Sequence, residues 1–126
     1  MTSRNKAKGS AWERAIVEHL KAAGWPFAER RLAGAAKDRG DIAGVVGVVI
    51  EAKNEARLKL AEWVAEAETE RGHDGAWLGV VWHKRIGKTA AADGYVTMTG
   101  RQFTELLARA LDIQTTLPVD NEGEAA

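Results

Sequence analysis

The chain has 126 residues, 45% of them hydrophobic, with five tryptophans and no cysteine. That length suits one domain with a modest core, and the absence of thiols excludes disulfides and thiolate metal sites. Eighteen basic and eighteen acidic residues cancel, so net charge alone points to no polyanionic partner.

The distribution of charge says more. Residues 1–40 hold nine basic and four acidic residues, whereas Asp112, Asp120, Glu122 and Glu124 follow Leu111 with no basic residue among them. A basic front half is compatible with phosphate contacts. The polar, basic opening does not read as a signal peptide, and no apolar run approaches the ~20 residues of a membrane span. The expectation is a cytoplasmic protein with no membrane attachment.

Residues 1–9 read as a flexible basic arm carrying Arg4, Lys6 and Lys8, either a solvated terminus or a DNA-backbone contact. The domain proper spans 10–112, and residues 113–126 read as a disordered acidic tail. Ser10 to Ala23 is expected to be helical. Ser10 and Glu13 match a capping box, and Trp12, Ala15, Ile16, Leu20 and Ala23 form the apolar stripe. Glu13 therefore has two readings: a capping residue, or an acid beside the stripe that faces a site. Phe27 to Leu32 alternates as a first strand. The loop from Ala33 to Gly40 carries Lys37 and Arg39, either solvated or in contact with phosphate.

Asp41 to Val45 and Val48 to Lys53 read as a hairpin turning near Val46-Gly47. Leu58 to about Arg71 is a second helix with Leu60, Trp63, Val64 and Ala67 as its buried stripe. Glu62, Glu66 and Glu70 recur on a side face and read as a solvated face in preference to a metal site, because nothing in the sequence draws those carboxylates together. Ala76 to Trp82 is a further strand. His83, Lys84, Arg85 and Lys88 follow it, either closing the strand or forming a cationic edge. Tyr95 to Met98 is a last short strand. Thr99 and Gln102 then match a second capping box, opening a helix through Phe103, Leu106, Leu107 and Ala110. The order α-β-β-β-α-β-β-α implies a mixed α/β sheet flanked by helices on both faces.

The chemistry concentrates on the hairpin. Period-2 alternation puts Glu51 and Lys53 on one strand face and Ile50 and Ala52 on the other. Charges on so apolar a strand are costly unless paired or holding a metal. Asp41, on the neighbouring strand, folds back beside Glu51. Two carboxylates on adjacent strands suit Mg²⁺, and a nearby lysine can stabilise charge that develops during phosphodiester hydrolysis.

Gly40-Asp41 with Glu51-Ala52-Lys53 resembles the PD-(D/E)xK nuclease motif. The stretch Lys8-Gly9-Ser10-Ala11-Trp12-Glu13-Arg14 is similar to the first-helix motif of archaeal-type Holliday junction resolvases in that superfamily. The resemblance implies a restriction-endonuclease-like fold and a Mg²⁺-dependent DNA endonuclease, with Mn²⁺ able to substitute. It makes Asp41 and Glu51 metal ligands with the Ala52 backbone carbonyl, Lys53 the catalytic lysine, and Glu13 a helix-borne acid that helps bind metal or water. It also implies branched DNA as substrate and a homodimer, with Lys6, Lys8, Arg30, Arg31, Lys37, Arg39, His83, Lys84, Arg85 and Lys88 as candidate DNA contacts. Two departures stand out: glycine replaces proline before Asp41, and the preceding loop offers Ala33, Ala35 and Ala36 where some resolvases carry a hydroxyl. The alternatives are a nuclease of this fold acting on other DNA, and a non-catalytic nucleic-acid-binding module.

Overall fold

The computed structural model describes residues 3–31 and 40–113. Lys37, Arg39 and the acidic tail after Ile113 lie outside them. The elements are α1 (Ser3–Ala23), β1 (Glu29–Arg30), β2 (Ile42–Ala43), β3 (Val48–Lys53), α2 (Leu60–Asp74), β4 (Leu78–His83), a 3₁₀ turn at Ala91–Asp93, β5 (Tyr95–Thr97) and α3 (Gly100–Leu111). The five strands form one mixed sheet in the order β1-β2-β3-β4-β5. Among the described residues only the β3–β4 pair is parallel, and α2 is the crossover between them.

Alternation along β3 and β4 divides the molecule. Ile50, Leu78 and Val80 face α1, where they pack with Trp12, Ile16, Val17, Leu20 and Ile42 in the main core. The residues between them face α2, where Trp63 and Ala67 cover Val81. Helix α2 comes very close to the sheet at Gly79. A Cβ there would lie 3.0 Å from the Ala67 carbonyl oxygen and 3.2 Å from Arg71 Cβ, so glycine sets the approach distance. At the far end, Thr99 caps α3 by accepting from the Gln102 N–H at 3.1 Å.

Several local expectations are revised. Helix α1 begins at Ser3, so Lys6 and Lys8 lie on its first turns and Ser10 is no cap. The Ser10 hydroxyl instead accepts from Arg30 Nη2 at 3.0 Å. β1 is only two residues long within the described chain. Helix α2 is shifted towards the C-terminus. It starts at Leu60, which is 37% exposed, and runs on until Gly75 ends it in the left-handed conformation. Gln102 completes no capping box with its side chain, because its Oε1 accepts from the Gly79 N–H at 2.8 Å. That bond docks α3 onto the backbone of β4.

Candidate functional site

Asp41 is placed by backbone. Its N–H donates to the Ile50 carbonyl at 2.9 Å, and its own carbonyl accepts from the Arg31 N–H at 2.9 Å. Gly40, just before it, is buried with φ +94°. Proline, locked near φ −65°, cannot occupy that conformation. A Cβ would also sit 2.9 Å from Val49 Cγ1. The glycine at this position is therefore a requirement of this backbone. The Asp41 side chain turns across to β3, where its Oδ2 accepts from the Ala52 N–H at 2.8 Å. Ala52 thereby fixes the first carboxylate beside Glu51.

Glu51 points to the α2 side and is only 3% exposed. Its Oε1 is buried with no donor bonded to it. Glu66 and Glu70 approach from α2, and the three carboxylates offer oxygens that all lie within 4.8 Å of one another. Burial raises the Glu51 carboxyl far above its ordinary range. A hydrogen bond with Glu70 and the charges of Asp41, Glu70 and Glu66 push it the same way.

Lys53 supplies the nearby positive charge. Its Nζ lies 2.7 Å from Glu66 Oε1 and 3.7 Å from Glu51 Oε2. Burial alone would lower its pKa. The hydrogen bond to Glu66 and the charges of Glu66, Glu51 and Asp41 outweigh burial and raise it, so Lys53 is an ammonium at neutral pH. Glu51, Glu66 and Glu70 are the converging carboxylates, Asp41 is not one of the three, and the buried Glu51 Oε1 among them has no donor. An all-oxygen donor set of this kind fits a hard divalent cation such as Mg²⁺, Mn²⁺ or Ca²⁺. An open groove of about 350 Å³ lies alongside, lined by Lys53, Glu55, Lys59, Glu62, Trp63 and Glu66.

The acidic row of α2 was expected to be solvated, and Glu70 contradicts that with 2% exposure. The signal was present in the spacing. Glu70 and Arg71 extend the Trp63–Ala67 stripe by three and four residues, and all four are buried. A charged residue at a buried position of a helix is the cue that hydrophobic patterning alone passes over.

The other candidates are more dispersed. Glu13 is bound to Arg30, with Oε1 accepting from Nε at 2.9 Å, and it is not one of the three converging carboxylates. Arg30 is thus committed to Glu13 and Ser10, and Arg31 is half-buried. Lys6 and Lys8 are exposed on α1. The Lys8 carbonyl accepts from Asn54 Nδ2 at 3.3 Å, which brings this end of α1 next to the residue that follows Lys53.

His83 is not part of an exposed cationic edge. It is buried, its Nε2 lies 2.8 Å from Thr97 Oγ1, and Trp63 and Tyr95 flank its ring. Burial lowers its pKa, so it is neutral at pH 7. Lys84, Arg85 and Lys88 remain accessible in part, with the Arg85 guanidinium 4.7 Å above the Tyr95 ring. The indoles are used within the chain. Trp63 is buried, the Arg109 guanidinium covers Trp77 at 4.0 Å, and Trp82 donates to the Ala91 carbonyl at 3.0 Å. No helix among the described residues is long and apolar enough to cross a membrane. Comparison with family models, with curated proteins and with solved structures returned no match.

Proposed function

We propose that this protein is a divalent-cation-dependent endonuclease that hydrolyses phosphodiester bonds in DNA. The observation that carries the reading is the bond from the Ala52 N–H to Asp41 Oδ2, which holds Asp41 beside Glu51 with Lys53 on the same strand face. The sequence resemblance to PD-(D/E)xK nucleases rests on these same residues, and a mixed sheet flanked by helices is compatible with the restriction-endonuclease-like fold. Asp41 and Glu51 would hold the cation, Mg²⁺ in the first instance. When bound, such an ion neutralises charge on the phosphodiester and acidifies water. Lys53 would contribute an ammonium that stabilises negative charge developing on the phosphodiester.

Within this activity, the more specific reading is resolution of four-way DNA junctions by a homodimer. Two symmetric cuts on opposed strands need two sites, and a two-fold pair supplies them. The exposed side chains of Phe103, Leu107 and Leu111 on α3 give such a pair apolar surface. A second reading keeps the chemistry and changes the substrate to linear or single-stranded DNA. It gains from the indoles of Trp63, Trp77 and Trp82, which make their contacts within the chain.

The separating experiment is cleavage of a labelled four-way junction beside sequence-matched duplex and single strand, in Mg²⁺. Paired symmetric nicks near the junction centre are expected. Equal cutting of junction and duplex selects the second reading, and binding without any cutting selects a non-catalytic module.

A further inference from the structure

Lys53 lies between two carboxylates, and its position is not the one burial alone predicts. Glu51 is the more buried partner, with a side chain 4% exposed against 42% for Glu66. A cation on Glu51 requires its ionised form, and attraction is stronger where water is excluded, so an unrestrained ammonium would then close onto Glu51 and compete with the cation. Yet Nζ makes its charge-assisted hydrogen bond to Glu66 at 2.7 Å and stops 3.7 Å from Glu51, beyond hydrogen-bond range. Glu66 is able to compete because α2 is held firmly. Trp63 and Ala67 pack on Val81, and Gly79 lets the helix backbone come close to β4.

We propose that Glu66 is a positioning residue. It holds the Lys53 ammonium off Glu51, which leaves the Glu51 carboxylate available to a divalent cation and keeps the ammonium at the wall of the groove that both residues line. The inference rests on the cation reading of the preceding section. Without Glu66, Lys53 pairs with Glu51, and each group blocks the other. The rival role for Glu66 is direct ligation, because its carboxylate also lies within the converging trio.

A double-mutant cycle read by Mn²⁺ binding in calorimetry separates these roles, using the full chain and no DNA. Glu66→Gln should weaken Mn²⁺ roughly tenfold in the Lys53 protein but no more than about threefold in the Lys53→Met background, because coupled neighbours are non-additive. The smaller factor is the plain loss of one negative charge. Lys53→Gln serves the same arm if Lys53→Met does not fold. Equal weakening in both backgrounds makes Glu66 a ligand and overturns the proposal, as does unchanged binding by Glu66→Gln alone. A wild-type protein that binds no Mn²⁺ overturns the cation reading together with this inference. A wild type that binds Mn²⁺ and fails the cycle overturns only the role of Glu66.

Discussion

The two faces of the sheet are built from alternate residues of the same strands and are put to different uses. On the α1 side, Ile50, Leu78 and Val80 meet Trp12, Ile16, Val17 and Leu20, and the interior is almost wholly apolar. On the α2 side, the apolar cluster shrinks to Trp63, Ala67 and Val81, and Glu51, Glu70, Arg71 and His83 are buried around it. One face supplies stability through removal of apolar surface from water. The other places like charges in a low-dielectric setting, which costs stability unless a proton or a cation joins them. A strand that is apolar on one side can carry costly chemistry on the other, because the α1 core offsets the strain.

The contrast makes the α1 side the place where truncation is most damaging. Ile16 has no exposed surface, and Ile16→Ala should cost about 2–5 kcal/mol in denaturant unfolding. A loss well under 1 kcal/mol would show that the α1 core does not carry the fold. The next effect lies at the entry to the hairpin. Gly40→Pro, which restores the residue usual in the resembled motif, should destabilise the protein by more than about 1 kcal/mol, because proline cannot reach φ +94°. Unchanged stability would mean that the backbone before Asp41 can take another course.

The α2 side should reveal itself through pH. The Glu51 carboxyl titrates higher in the folded chain than in the unfolded one, so between the two values the folded state holds the extra proton. Stability in EDTA should therefore fall as pH rises from the ordinary carboxylate range, by up to about 1.4 kcal/mol per pH unit. Glu51→Gln should flatten that slope and leave the metal-free protein more stable at alkaline pH. Thermal melts of both proteins across pH 5–9 check this, and parallel slopes would contradict it. The smallest effect belongs to neither face. Thr99→Ala removes the cap of α3 and should cost about 1 kcal/mol, without changing the pH slope.

Much of this arrangement was legible in the residues. The β-branched run Val48–Ile50 and the glycines around Val45-Val46 specify a hairpin, and alternation then places Glu51 and Lys53 together. Thr99 at a helix start is likewise a local signal, and the structure uses it. Local signals misled where a distant partner intervened. Ser10 and Glu13 have the spacing of a cap, but Arg30 takes both side chains and the helix continues past them. Gln102 is drawn to the Gly79 backbone in the same way. The burial of Glu70 was legible in the spacing of α2, but its convergence and that of Glu66 on Glu51 follow from the placement of α2 over β3, a tertiary fact that no window of sequence contains. His83 looked like a strand-closing cation, and its burial follows from the same placement of α2 and its Trp63.

The central claim is that Asp41, Glu51 and Lys53 act with a divalent cation on a phosphodiester. The most direct measurement is single-turnover nicking of a labelled four-way junction by wild type and Glu51→Gln, in Mg²⁺ and in EDTA, with folding checked by circular dichroism. The account predicts Mg²⁺-dependent cleavage by the wild type, none in EDTA, and a rate lower by on the order of 10²–10³ or more for the folded Glu51→Gln protein. Cleavage by Glu51→Gln at close to the wild-type rate, or wild-type cleavage that persists in EDTA, would contradict it.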